Sequence, residues 1–191
     1  SRPRGGRAAP FAARRELAPR VGQWHGLDIS SSILKIARRR TAHLPNAHFH
    51  ELAKAALPLA ANTVDRAYSH LVLFHMDKEE LYLYLTELAR VLVPGGLVYF
   101  DTWNLLHPEG WERFIWELEH HRHKRVKPAH RNQFCTAEEV RLYVEKAGLV
   151  PLHIIDDSFW IQVIAAKPGP QVDRNALKQQ LRNLDALIPH G

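Results

Sequence analysis

Residues 77–102 read DKEELYLYLTELARVLVPGGLVYFDT, and within them the hydrophobic period changes from helical to extended. Asp77 with Glu80 three positions on has the form of a capping box, in which the side chains of both residues satisfy backbone N–H groups at a helix start. Leu81, Leu85, Leu88 and Leu92 then recur at i, i+4, i+7 and i+11, one apolar stripe of a helix running to about Leu92. Pro94-Gly95-Gly96 stops that helix and turns the chain into a strand over Leu97 to Thr102. A helix feeding a strand in this way is one half of a βαβ repeat.

The same alternation extends in both directions. Upstream, Val64 to Ser69 reads as a strand, His48 to Glu51 as a weaker one, and Gln23 to Leu27 as a short strand ending at Asp28. Between the last two, Ser31 or Ser32 is expected to cap a helix with Ile33, Ile36 and Ala37 on its buried side. A first helix is expected from Pro10 to Ala18. Downstream, a helix after Pro108 should bury Trp111, Phe114, Ile115 and Leu118. Thr136 and Glu139 open another, with Val140, Tyr143, Val144 and Ala147 inside and Gly148 at its end. Val150 to Ile155 and Trp160 to Lys167 are joined by too few residues for a crossover helix, so they must pair antiparallel. A tail helix is expected after Pro170. The predicted fold is α/β, a three-layer sandwich whose mostly parallel sheet ends in an antiparallel hairpin, over residues 1–168, with 169–191 as the tail.

Composition limits the setting. The 191 residues suit one domain, and no apolar run approaches the ~20 residues of a membrane-spanning helix. With a single cysteine, Cys135, no internal disulfide can form, and a cytoplasmic protein with no membrane contact is expected. Lys and Arg exceed Asp and Glu by 26 to 20, much of the excess lying between Arg2 and Arg20 and between Arg122 and Arg131. Those runs read first as solvated faces and second as a surface for RNA.

The order of these elements resembles the class I, Rossmann-like S-adenosylmethionine-dependent methyltransferases. Val21-Gly-Gln-Trp-His-Gly-Leu-Asp-Ile-Ser30 is similar to that family's second strand, and Gly5-Gly6-Arg-Ala-Ala-Pro-Phe to the end of its glycine loop. Ala56-Leu-Pro-Leu59, Ser69-His-Leu-Val-Leu-Phe-His75 and Arg90-Val-Leu-Val-Pro-Gly-Gly-Leu97 match later segments in the same order. The resemblance implies S-adenosylmethionine as cofactor. It places Asp28 on the ribose hydroxyls with Ile29 beside it, Gly5 and Gly6 at the close backbone approach, and Leu57, Ser69 and His70 along the pocket. Two features of the family are absent. Only Ser-Arg-Pro-Arg precedes Gly5, where the family has a strand and the rest of a G-x-G-x-G loop, and Ala53 stands where a carboxylate often faces the adenine. A central strand left out of a sheet leaves buried N–H and C=O groups unpaired at about 1–3 kcal/mol each, which favours a strand upstream of this sequence over its true loss.

Methyl transfer needs alignment, exclusion of water and a proton acceptor. The candidate bases are His70 and His75 after the Val64 strand, Asp101 at the end of the Leu97 strand, and His107 beyond it. Trp103, Trp111 and Trp116 suggest an aromatic wall for a planar acceptor. His120, His121, His123 and Cys135 lack any paired metal-ligand spacing, so no metal is expected there. The expected activity is methylation of a small molecule at O, N or C. The alternatives are RNA methylation on the basic surface and a methyltransferase-like scaffold without catalysis.

Overall fold

The computed structural model describes residues 21–53, 55–126 and 131–169. Gly5, Gly6, the helix expected before Pro19 and the tail helix expected after Pro170 lie outside the described residues. The chain divides into two compact units, with the boundary between Pro58 and Leu59.

In the first unit β1 (Trp24–Asp28) and β2 (Ala47–Glu51) pair in parallel, from Trp24 opposite Ala47 to Asp28 opposite Glu51. Parallel neighbours need a crossover, and α1 (Ser31–Arg40) provides it. Its cap is Ser30, one residue before the expected serines, with Oγ accepting the Ile33 N–H at 3.3 Å. The buried side of α1 is correspondingly Leu34 and Ala37, both at 0% exposure, while Ile33 and Ile36 face out at 40% and 45%. The expected face was thus right at Ala37 and wrong at both isoleucines. Gly26 is buried beneath the Phe49 ring, and a Cβ there would lie 2.8 Å from that ring, so the strand needs glycine at this point.

The second unit contains β3 (Val64–Ser69), α2 (Lys78–Val91), β4 (Leu92–Asn104), α3 (Pro108–His121), β5 (Phe134–Cys135), α4 (Ala137–Lys146), β6 (Val150–Ile155) and β7 (Trp160–Ala166). Its sheet runs β3-β4-β7-β6, with β5 beside the end of β4. β3 and β5 are parallel to β4, β7 is antiparallel to it, and β6 and β7 form the expected hairpin. Alternation along the strands sorts the two faces. Val98, Phe100, Ile161, Val163 and Ala165 are fully buried on one face, in a cluster with Leu81 and Leu85 of α2 and Val140 and Val144 of α4. Tyr99 and Asp101 point to the other face.

Three expectations need correction. First, Pro94-Gly95-Gly96 does not separate helix from strand. β4 begins at Leu92, and the glycines lie in an insertion where β3 passes from Val64 to Arg66 while β4 passes from Leu92 to Leu97. Gly95 takes φ 83°, open to glycine, and donates its N–H to the Lys167 carbonyl at 3.0 Å. Second, β4 continues to Asn104, so Asp101 lies within the strand and not at its end. Third, α3 does not bury Trp111 and Leu118, which are 52% and 50% exposed; its buried residues are Gly110 and Glu117. Gly110 lies directly against the end of β4, since a Cβ there would be 1.8 Å from the Asn104 carbonyl oxygen. That contact sets the helix rotation, and the next residue, Trp111, is turned outward. Glu117, two turns on, is held by Asn132 Nδ2 at 2.9 Å, Arg113 at 3.3 Å and His121 at 3.1 Å.

Candidate active site

Asp28 is the last residue of β1 and stands just before the cap of α1. Its Oδ1 accepts the Ser30 N–H at 2.8 Å, and its carbonyl accepts the Leu52 N–H at 2.9 Å. The backbone therefore fixes one carboxylate oxygen, and no bond to Oδ2 is made among the described residues. A carboxylate so oriented at the carboxyl end of a strand, beside a helix start, fits a ribose diol. Ile29 next to it is 76% exposed, and Leu57, later in the same unit, is buried.

The other cluster lies in the second unit, where Ser69 of β3 is in register with Phe100 of β4. The next positions along the two strands are His70 and Asp101, and the structure brings them together: His70 Nδ1 bonds Asp101 Oδ2. Asp101 is fully buried, and its other oxygen accepts the Leu71 N–H at 2.8 Å. Leu71 takes φ 59°, an unfavourable region for a branched residue, and the chain holds it there while its N–H reaches the carboxylate. The His70 side chain is 29% exposed, so a buried acid supports a partly accessible imidazole.

Two tyrosines flank this pair without having stood out in the sequence. Tyr68 and Tyr99 stack with ring centroids 5.2 Å apart, and the Tyr99 hydroxyl donates to Gln162 Oε1 at 3.2 Å. Burial, and next the Asp101 charge, pushes both phenols above their ordinary range. Both stay protonated at neutral pH. The signal available beforehand was the in-register placement of two aromatics on one face, legible only once the strand pairing is known.

The remaining candidates are placed differently. His75 ends a 3-10 turn over Leu73–His75, its ring tilted by 49° against Phe74 at 4.1 Å between centroids. His107 caps α3, its Nδ1 accepting the Glu109 N–H at 3.4 Å. The three tryptophans do not form a single wall. Trp103 packs on Trp160 at 4.8 Å and Phe159 at 5.5 Å, whereas Trp116 stacks on His120 at 3.8 Å and carries the Arg113 guanidinium at 4.2 Å. Burial pushes the Cys135 thiol up to about 11, so it is protonated at neutral pH. Asn104 was also missed. Its Nδ2 donates to the Asp156 and Ser158 carbonyls at 2.8 and 3.0 Å, fastening the β6–β7 turn to the end of β4.

Comparison with known proteins bears on the domain and the fold. Residues 6–96 match the family model described as a methyltransferase domain. A chain from the complex of the Haloferax volcanii Trm112 methyltransferase activator with a candidate methyltransferase is 19% identical, with a TM-score of 0.66 over 83% of this chain and 78% of its own. A SAM-dependent methyltransferase from Methanosarcina mazei is 16% identical, with a TM-score of 0.65 over 81% of this chain and 86% of its own. The [4+2]-cyclase SpnF is 18% identical, with a TM-score of 0.61 over 81% and 71%. No curated protein sequence gives a significant match. The chain thus carries a match to a methyltransferase domain over residues 6–96 and shares the fold of SAM-dependent methyltransferases. No helix among the described residues is long and apolar enough to cross a membrane.

Proposed function

We infer that the chain transfers a methyl group from S-adenosylmethionine to a small-molecule acceptor, with His70 as general base. The observation that carries this reading is the pair formed by His70, the residue that follows β3, and Asp101 of the neighbouring parallel strand β4. A buried carboxylate on Nδ1 keeps the hydrogen there and leaves the Nε2 lone pair to receive a proton. Because Leu71 N–H binds the second oxygen of Asp101, the acid cannot turn away, and the imidazole keeps one orientation. S-adenosylmethionine supplies an electrophilic sulfonium methyl. An acceptor O–H or N–H would give its proton to His70 as the new bond to carbon forms and the carbon–sulfur bond breaks, its electron pair leaving with S-adenosylhomocysteine. Asp28, with Oδ1 fixed by Ser30, is the residue assigned to the ribose, and by resemblance Gly5, Gly6, Ile29, Leu57 and Ser69 complete the cofactor contacts.

The fold alone does not decide this, since the same architecture serves a cyclase. The test is calorimetry of the chain with S-adenosylhomocysteine, followed by transfer of labelled methyl from S-adenosylmethionine to a panel of phenols, amines and a structured RNA. Binding is expected, with label in a small acceptor and its loss in His70→Gln while S-adenosylhomocysteine still binds. Failure to bind S-adenosylhomocysteine, or transfer undiminished in His70→Gln, would overturn the assignment.

A further inference from the structure

We propose that the outward face of β3 binds a planar aromatic hydroxy acid, a ring with a hydroxyl at one end and a carboxylate at the other. The proposal rests on the reading of His70 as general base and names the acceptor class for that same site. Alternation puts Arg66, Tyr68 and then His70 on one face, in register with Leu97, Tyr99 and, one step on, Asp101. Ala67, between them, turns to the other face and packs on the buried cluster. Arg66 is exposed, Tyr68 is 55% exposed and the His70 side chain 29%. A cation, an aromatic ring and an imidazole therefore follow one another along an accessible strip.

Each of the three meets one part of the ligand. Tyr68 is stacked on Tyr99 with 15° between ring planes and lies 6.0 Å from the His70 ring, so its plane is fixed beside the base. Its exposed surface offers a second ring a partner for stacking. Arg66 Nη1 donates to the Asp65 carbonyl at 2.8 Å, and among the described residues no acceptor takes its other N–H groups, which suit a carboxylate. Charge fixes the direction of the ligand. Buried Asp101 stands behind His70 and repels a carboxylate there, while Arg66 attracts one, so the acid end lies at Arg66 and the hydroxyl at His70. An ammonium acceptor would instead meet the Arg66 charge. Four residue steps separate Arg66 from His70, about 13 Å along a strand. Hydrogen bonds of about 2.8 Å at both ends leave roughly 7 Å, the reach of a benzene ring substituted at opposite corners. With the hydroxyl at Nε2, its proton passes to His70 as the oxygen–methyl bond forms. The methyl–sulfur bond breaks, and its electron pair leaves with the S-adenosylhomocysteine formed.

The experiment is calorimetry of the full chain with 4-hydroxybenzoate, 4-methylphenol and 4-hydroxycyclohexanecarboxylate, with and without S-adenosylhomocysteine. The second compound lacks the carboxylate and the third lacks the flat ring. 4-Hydroxybenzoate should bind about fivefold more tightly than either. Arg66→Gln should erase its advantage over 4-methylphenol, and Tyr68→Leu its advantage over the cyclohexane acid; both side chains are exposed, so both variants fold. Salicylate, with its two groups on adjacent carbons, should bind no better than 4-methylphenol. Replacing Arg122, Lys124 and Arg125 together by Gln should change nothing. With labelled S-adenosylmethionine the expected product is 4-methoxybenzoate. Equal wild-type affinity for the three para compounds, an Arg66→Gln loss shared by 4-methylphenol, binding that follows the Arg122–Arg125 run, or transfer to other phenols but not to 4-hydroxybenzoate would each overturn the proposal. The affinities are read without turnover and so stand apart from the transfer reaction. Preferred binding of 4-hydroxybenzoate by a chain that does not take S-adenosylhomocysteine would uphold this site and sink the methyltransferase reading.

Discussion

At the scale of single residues, the two acids carry different burdens. On the function proposed above Asp28 contributes an oxygen to the cofactor's ribose, so its removal should be felt in binding. Losing a charge-assisted hydrogen bond costs about 1.5–3 kcal/mol, so Asp28→Ala should weaken S-adenosylhomocysteine binding by roughly 10- to 150-fold in calorimetry. Asp28→Asn retains one acceptor and should lose less; equal affinity for wild type and Asp28→Ala would place the ribose elsewhere. Asp101 contributes to the fold as well as to His70. Asp101→Ala leaves the Leu71 N–H and the His70 ring without their shared partner, at about 1–3 kcal/mol for an orphaned buried donor. A clear drop in the urea midpoint is expected, and none would mean that water replaces the carboxylate. Both acids were legible in the sequence as polar residues within or ending apolar strands. Their partners were not, because Ser30, Leu71 and the two tyrosines act through a backbone N–H or through register.

At the scale of elements, sequence reading succeeded where a local signal sufficed. The caps of α2 and α4 are at Asp77 and Thr136 as expected, because a capping box involves only neighbouring residues. It failed where distant contacts decide: the face of α3 follows from Gly110 against β4, and the two residues of β5 are too short to show a period. The Gly110 contact can be tested. Gly110→Ala forces a methyl into the Asn104 carbonyl, and overpacking of this kind costs about 1–3 kcal/mol, so the urea midpoint should fall with little change in slope. A neutral effect would mean that α3 shifts freely. The β1–β2 pair makes a second prediction, in pH. His25 and His50 have folded pKa values below their ordinary 6.5, so the unfolded chain binds more protons as pH falls through that value. Their contribution is complete above pH 6.5 and should fade as pH drops through the lowered folded values. Thermal melts from pH 7.5 to 5 should show this loss, and His25→Gln should flatten the curve. An unchanged slope in the variant would remove these histidines from the account.

At the scale of the whole molecule, the alternation of helix and strand, the edge hairpin and the methyltransferase-like fold were legible in the sequence, since each rests on order and spacing. The division after Pro58 was not, because it reflects how contacts are distributed between the two sides. That division has consequences for stability. The second unit contains the buried cluster that joins α2, α4, β4 and β7. The described sheet of the first unit has two strands, and a two-stranded sheet is marginal without further packing. Local opening should therefore be cheaper in the first unit than in the second. In hydrogen exchange, amides of β4 and β7 should be the slowest in the chain, with those of β1 and β2 exchanging well before them. Because a ligand stabilises the conformation it binds, S-adenosylhomocysteine should slow exchange most in the segment from Trp24 to Leu34, which carries Asp28 and the start of α1. Protection arising only around β6 and β7 would move the cofactor away from Asp28. Uniform exchange across both units in the free protein would show that they open as one.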